Sequence, residues 1–119
     1  MAQRFAPDGT PRGEKFQVGR RGAYLRQIYP AAALVAGGTF VIVWQEDDRD
    51  GDKEGVFGRV FSANGRPLSN DFQVSTTSEG YQYGLSIAAA RQGPVVAVWT
   101  QFDSGGQYEV FARLLSSGR

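Results

Sequence analysis

The hydrophobic positions of this chain fall into short runs of strand length, separated by glycine-rich turns. The run 40–44 is apolar at every position, and so is 95–99, as is typical of strands buried on both faces. The run 55–62 alternates instead, so that Val56 and Val60 share one face. No window longer than a few residues has the 3.6-residue period of a helix. The pattern therefore predicts an all-β chain.

The same pattern of runs and turns occurs twice along the chain. Insertions and deletions are tolerated in loops, so small changes in the offset between two copies are expected there. We predict a duplicated unit of roughly 55 residues, since a fixed order of matched segments indicates internal repetition. The matched segments are 5–11 with 61–67 at an offset of 56 residues, 40–44 with 95–99 at 55, and 56–61 with 110–115 at 54.

A full unit contains four runs that predict strands. The dipeptides Asp8-Gly9, Asn64-Gly65 and Gly37-Gly38 tolerate positive φ and predict tight turns between them. Four antiparallel strands, graded from doubly buried to half-exposed, are typical of a blade of a β-propeller. A β-sandwich of two four-stranded sheets is the alternative, and it would require alternation in every strand. The predicted strands are 30–35, 40–46, 55–62 and 71–75, their counterparts 85–90, 95–101 and 109–116, and a fourth strand at 15–18 that precedes the first unit.

The strand order predicts three segments: a partial blade (third and fourth strands) at 1–26, a full blade at 27–75, and a second blade without its last strand at 76–119. Two blades do not close a ring, and stacked repeats need about three units to bury a continuous core. We therefore expect the chain to bind copies of itself, with three or four chains completing a ring. A fragment of a longer array is the competing interpretation.

Composition excludes several classes of function. The net charge of +1 and the pI of about 8.1 are too balanced for a nucleic-acid-binding surface, which would need a basic stripe and a clearly higher pI. The chain has no cysteine and no histidine, which excludes disulfides, Cys/His zinc sites and Ser-His-Asp triads. The longest apolar run is far shorter than the roughly 20 residues of a membrane span, and no signal peptide is evident. No membrane insertion is expected.

The repeated residues resemble a tandem repeat of large bacterial secreted and surface proteins, often of hemolysin-type calcium-binding (RTX) architecture. The resemblance implies a propeller-like fold, a place at the cell surface or outside the cell as part of a larger protein, and a structural module more than an activity. The second copy departs from the pattern, with Leu85 in place of Pro30 and Ser104-Gly105 in place of Asp50-Gly51. The matching residues in the first copy are Gln3-Arg4-Phe5, Gly9, Gly13, Phe16, Val18, Gln27, Pro30, Ala33-Leu34, residues 37–44, Asp50-Gly51 and residues 55–61.

The acidic loop 46–54 is the sharpest candidate for a metal site. Asp48, Asp50 and Asp52 alternate around Gly51, and hard oxygen ligands at that spacing suit Ca²⁺. The positive charges in the loop and the missing distal glutamate favour the alternative, a solvated polar hairpin. The sequence predicts no other cofactor.

Four aromatic residues are candidates for ligand binding. Trp44 and Trp99 end the second strand of their units, where an indole could stack on a sugar; packing between blades is the favoured alternative. Tyr29 and Tyr83 are expected on loops before the first strand, with glutamines nearby. Such a group is typical of a carbohydrate platform, and equally of packing at a blade edge.

Arg59 and Arg113 occupy the same position in the third strand of their units. The planar guanidinium favours carboxylates and carbonyl groups as partners. We expect each arginine to hold a carboxylate or a backbone carbonyl of the neighbouring blade.

Catalysis has little support in the sequence. A pair of carboxylates, Glu46 and Glu54, could in principle hydrolyse glycosides, but the second copy has Gln101 and Tyr108 there. The leading prediction is a non-catalytic propeller repeat module for self-assembly and for binding or scaffolding at a bacterial surface. The alternatives are a carbohydrate-binding lectin with sites between blades and a remnant of a sialidase-like hydrolase.

Overall fold

The computed structural model describes residues 1–19, 26–47, 55–74, 81–90, 94–102 and 106–115. Within these residues the protein is all-β, and the single helical feature is one 3₁₀ turn at Ala36–Gly38. The prediction of an all-β chain is confirmed. The strands are β1 (Ala2–Phe5), β2 (Pro11–Phe16), β3 (Arg26–Leu34), β4 (Phe40–Asp47), β5 (Gly55–Phe61), β6 (Phe72–Gln73), β7 (Tyr81–Ala89), β8 (Val95–Phe102) and β9 (Tyr108–Leu115).

The strands form three antiparallel sheets in which the strand order follows the chain. We call them the N-terminal hairpin (β1-β2), the middle sheet (β3-β4-β5-β6) and the C-terminal sheet (β7-β8-β9). Each is a meander, because consecutive strands are hydrogen-bonded neighbours and no strand crosses over. The described residues form no closed ring.

Two tight turns show the repetition at atomic detail. The backbone N–H of Ala6 donates to the carbonyl of Thr10 at 2.9 Å, and 56 residues later Ser62 donates to Arg66 at 2.8 Å. Gly9 and Gly65 take φ values of 90° and 89°, which are favourable for glycine. The turn dipeptides therefore fix both hairpins as the sequence predicts.

The turn at Asp8 also shifts a pKa. Thr10 donates to Asp8 Oδ1 from its hydroxyl at 2.7 Å and from its backbone N–H at 3.0 Å. These bonds, the hydroxyl's first, stabilise the charged carboxylate and hold the pKa of Asp8 below its ordinary value.

The pairing register gives each large sheet two distinct faces. Val41 pairs with Val60 and Val43 with Gly58, so these residues share one face of the middle sheet. We call it the valine face; its counterpart in the C-terminal sheet carries the pairs Val96–Leu114, Val98–Ala112 and Thr100–Val110. The opposite face, here the tryptophan face, carries Phe40, Ile42, Trp44, Phe57 and Phe61 in the middle sheet, and Val95, Ala97, Trp99, Phe111 and Leu115 in the C-terminal sheet.

The core lies between three layers of sheet. The valine face of the middle sheet packs on the tryptophan face of the C-terminal sheet, burying Val43, Val60, Val95 and Ala97 completely. The tryptophan face of the middle sheet packs on the hairpin, where the Phe16 ring centroid lies 5.3 Å from that of Phe61. Apolar burial of this kind is the main source of stability.

The two apolar runs have different surroundings. Residues 41–46 are buried on both faces of β4, as the sequence predicts. In β8 burial alternates: Val95 and Ala97 are buried, whereas Val96 and Val98 are partly exposed. The prediction of a doubly buried strand at 95–99 is therefore wrong, because the described chain places a layer on only one side of the C-terminal sheet.

The first strand of each unit begins earlier than predicted. β3 begins at Arg26 and β7 at Tyr81, so Tyr29 and Tyr83 lie in strands and the prediction of loops there is wrong. The pairing shifts between Ile28 and Ala31 and again between Tyr83 and Ser86. Such bulges interrupt the two-residue alternation that identifies a strand in sequence.

The fourth strands also differ from their predicted bounds. β2 begins at Pro11, four residues before the predicted start, because the turn at Gly9 pairs Phe5 directly with Pro11. β6 is limited to Phe72–Gln73, paired with Gly58 and Phe57. The ring of Phe72 lies over Gly58, where a Cβ would approach ring carbons to 3.0 Å.

Candidate functional site

Two adjoining grooves open beside β1. They lie between the hairpin and the β3 side of the tryptophan face, and both are lined by Ala2, Gln3, Ala32 and Ile42. The first has a volume of about 410 Å³ and reaches Trp44 and Pro30; the second has about 610 Å³ and reaches Leu34. Their walls are mostly apolar, so they suit an apolar surface more than a charged ligand.

The predicted ligand residues Trp44 and Trp99 are core residues. Trp44 is 3% exposed and Trp99 4% exposed. Trp44 Nε1 donates to Glu46 Oε1 at 3.2 Å, whereas Trp99 Nε1 has no hydrogen-bond partner among the described residues. Trp99 stacks on Phe111 with centroids 6.2 Å apart. Both indoles pack between sheets, the favoured alternative in the sequence, although Trp44 also reaches the first groove.

Tyr29 is the exposed member of the predicted aromatic group. Its side chain is 54% exposed, and its φ of 54° lies in the left-handed region, which is uncommon for a residue other than glycine. The equivalent position in the second bulge is Gly84, with φ of 68°. Tyr83 lies in β7 opposite Thr100, and its side chain lies outside the described part. Among the described side chains, Trp44 and Trp99 are thus buried in different clusters and Tyr29 is exposed, so these three do not form one site.

The predicted calcium ligands Asp48, Asp50 and Asp52 lie outside the described residues. Within the described ranges, no three carboxylates are grouped in a way that could hold a metal ion. Of the two carboxylates considered for catalysis, Glu46 is buried against Trp44, and Glu54 lies outside the described residues.

Arg59 and Arg113 join successive layers, as the sequence predicts. Arg59 Nη1 donates to the carbonyl oxygen of Val18 in the segment after the hairpin at 3.3 Å. Arg113 Nη1 donates to the carbonyl oxygen of Val74, after β6, at 2.8 Å. The partner carbonyls are themselves 56 residues apart, so one interlayer contact occurs twice.

Arg59 also organises its own sheet. Its Nε donates to the carbonyl oxygen of Ser69 at 2.9 Å and lies 3.6 Å from Asp71 Oδ1. These contacts hold the connection from β5 to β6 against the middle sheet.

Two blades that do not close a ring are expected to leave their outer apolar sides exposed, and the most exposed apolar surface of the described chain lies on the C-terminal sheet. The valine face of the C-terminal sheet has Val110 78% exposed and Leu114 69% exposed, with Val96 and Val98 partly exposed beside them. A contiguous exposed apolar face marks an interaction surface. The repeat offset indicates which residues form this face, because it aligns Val96 and Val98 with the buried Val41 and Val43.

Comparison with protein-family models, with curated proteins and with solved structures found no match for this chain. Among the described residues, no helix is long and apolar enough to cross a membrane.

Proposed function

We propose that this chain is a non-catalytic repeat module of the propeller-blade type, which assembles with further units of its own kind and serves as a scaffold or binding platform. The observation that carries the proposal is the repeated interlayer contact. An arginine of the third strand reaches a backbone carbonyl of the preceding layer in both instances. Apolar faces pack between the same layers. Units that stack by one repeated contact are suited to continue the stack.

The resemblance to repeats of large bacterial secreted and surface proteins supports a location at the cell surface or outside the cell, as part of a larger protein. It also supports a ring of blades completed by three or four chains. The uncovered valine face of the C-terminal sheet is consistent with an incomplete stack, because a core face of this composition is buried in the middle sheet.

The absolute mass in solution tests this proposal. Light scattering should give a mass of three or four chains, and addition of calcium tests whether the acidic loop contributes to assembly. A single-chain mass at micromolar concentration, with and without calcium, would contradict self-assembly.

Carbohydrate binding is the second candidate, and Tyr29 is the observation that favours it. An exposed aromatic residue held in a strained conformation is often part of a binding site, and Tyr29 precedes Pro30, which lines the first groove. A glycan array should then show binding that Tyr29→Ala abolishes. Tyr108→Ala is the matched control, because Tyr108 is also exposed but lies on β9.

A remnant of a sialidase-like hydrolase is the third candidate, and nothing in the described site favours it. Glu46 is buried and accepts a hydrogen bond from Trp44, so it is not placed to meet a substrate. A screen with fluorogenic glycosides should be silent, and turnover that Glu46→Gln abolishes would contradict the non-catalytic proposal.

A further inference from the structure

The contact between the middle and C-terminal sheets provides a template for a contact between chains. On one side lies the valine face of the middle sheet, where Val41, Val43 and Val60 are at most 2% exposed. On the other side lies the tryptophan face of the C-terminal sheet, to which β7 contributes Ile87 and Ala89, both partly buried against the core. Each side has an equivalent in the other sheet.

The surface equivalent to the first side, the valine face of the C-terminal sheet, is exposed. The repeat offset places Val96, Val98 and Leu114 of the C-terminal sheet at the positions of Val41, Val43 and Val60. Leu114 is 69% exposed, whereas Val60 is fully buried. The same apolar pattern is therefore present, and no described residue covers it.

The surface equivalent to the second side is open only along β3, because the hairpin buries Ile42 and Trp44, which are 7% and 3% exposed. Ile87 and Ala89 correspond to Ala32 and Leu34 of β3, which pair with Ile42 and Phe40. Ala32 is exposed, Leu34 is 73% exposed, and both line the second groove. The hairpin covers the β4–β5 part of the same face, where Phe16 packs on both Phe40 and Phe61.

We infer that a second copy of this chain docks head to tail, with the valine face of its C-terminal sheet over the open β3 part of the tryptophan face of the first. The inference rests on the proposed self-assembly and names its two surfaces. The occupant is a second copy because each open surface is the repeat equivalent of one side of a contact that already exists within the chain. Two different surfaces meet in this contact, so association continues into a ring or a filament.

Two lysine substitutions test the two surfaces separately. Leu114→Lys places a charge on the valine face and Leu34→Lys places one in the second groove. Both leucines are largely exposed, so neither change should impair folding of the single chain, which the unfolding midpoint would verify. Leu68→Lys is the matched control, since Leu68 is 51% exposed and lies on neither surface.

Light scattering at micromolar concentration should show that the wild type and Leu68→Lys assemble and that each of the other variants has the mass of one chain. An equimolar mixture of Leu34→Lys and Leu114→Lys should have the mass of two chains, because the intact valine face of one fits the intact groove of the other. A wild-type protein of single-chain mass would overturn the proposed self-assembly together with this inference. Assembly that Leu34→Lys leaves unchanged, or a mixture that stays at single-chain mass, would overturn the head-to-tail contact alone.

Discussion

Arg113 of β9 donates a hydrogen bond from Nη1 to the carbonyl oxygen of Val74, 2.8 Å away, and so joins the C-terminal sheet to the segment that follows the middle sheet. One layer earlier, Arg59 makes the same contact with Val18. A guanidinium can satisfy carbonyls of two layers at once because it has five donors in a fixed plane. The repeat thus conserves a polar contact between layers as well as its apolar faces.

Replacing Arg59 by methionine is expected to destabilise the fold. The change removes the bonds to Val18 and Ser69, and hydrogen bonds of charged groups contribute about 1.5–3 kcal/mol each where they are shielded from water. A smaller loss is expected for Arg113→Met, because Arg113 is exposed. Urea unfolding measures both, with Arg66→Met in the exposed turn as the control. Equal losses in all three variants would show that the interlayer bonds contribute no stability.

Gly58 should not tolerate even a methyl group. Its φ is not positive, so the cost arises from packing: a Cβ would lie 3.0 Å from the Phe72 ring and 3.1 Å from Val43 Cγ1. Overpacking of this kind costs about 1–3 kcal/mol. Gly58→Ala should therefore lower the free energy of unfolding by that amount in urea titrations. The control is the reciprocal change at the equivalent position, Ala112→Gly, which should lower the free energy of unfolding by only about 0.5–1 kcal/mol. A Gly58→Ala variant as stable as the wild type would refute the close packing of Phe72.

The two tryptophans should differ in their response to phenylalanine. Trp44→Phe removes a buried hydrogen bond to Glu46, whereas Trp99→Phe removes a buried N–H that has no partner in the described structure. The loss of unfolding free energy should be larger for Trp44→Phe by about 1–3 kcal/mol. Each variant retains one tryptophan, so fluorescence follows its unfolding. A larger loss for Trp99→Phe would be inconsistent with the hydrogen bond to Glu46.

The bulges in β3 and β7 predict opposite effects of two substitutions. Gly84→Ala forces a side chain into the left-handed region and should cost about 1 kcal/mol, since the nearest atom to its Cβ, Thr100 Oγ1, lies at an unstrained 3.7 Å. Tyr29→Gly relieves the same strain at the equivalent position and should stabilise the fold by about 0.5 kcal/mol after the entropy of glycine is included. Thermal unfolding compares the two, and effects of the same sign would argue against a left-handed Tyr29.

The pKa of Asp8 should depend on Thr10. Thr10→Val keeps the backbone bond but removes the hydroxyl donor, so the pKa of Asp8 should rise toward its ordinary value. Because the folded pKa is lowered, ionised Asp8 stabilises the turn above the pKa of the unfolded chain. That contribution is lost as the pH falls through the lowered value. NMR titration of the Asp8 carboxyl carbon measures the pKa, and Thr10→Ser is the control because it retains a hydroxyl. An unchanged pKa of Asp8 in Thr10→Val would mean that the Thr10 hydroxyl does not donate a hydrogen bond to the carboxylate.

Local sequence signals predicted most of the strands and failed at the bulges. Alternation in 55–62 and the turns at Asp8-Gly9 and Asn64-Gly65 are signals within a few residues, and the structure has the corresponding strands and hairpins. The sequence predicts a loop at Tyr29, because the bulge beside it breaks the alternation that identifies a strand. Of the candidate site, the role of the two arginines was predictable from their recurrence. The carbonyl partners and the grooves beside β1 were not, because they depend on how distant segments pack.

The contrast between Val41 and Val96 shows what the sequence determines and what the tertiary structure decides. The two valines occupy the same position of the repeat, and the sequence determines that each lies on the valine face of an inner strand. Only the packing of the sheets decides that Val41 is buried by the C-terminal sheet while Val96 is left partly exposed. Strand pairing and turns follow from the conformational preferences of neighbouring residues. Burial follows from the layer that lies opposite a face, and identical local sequences can meet different neighbours.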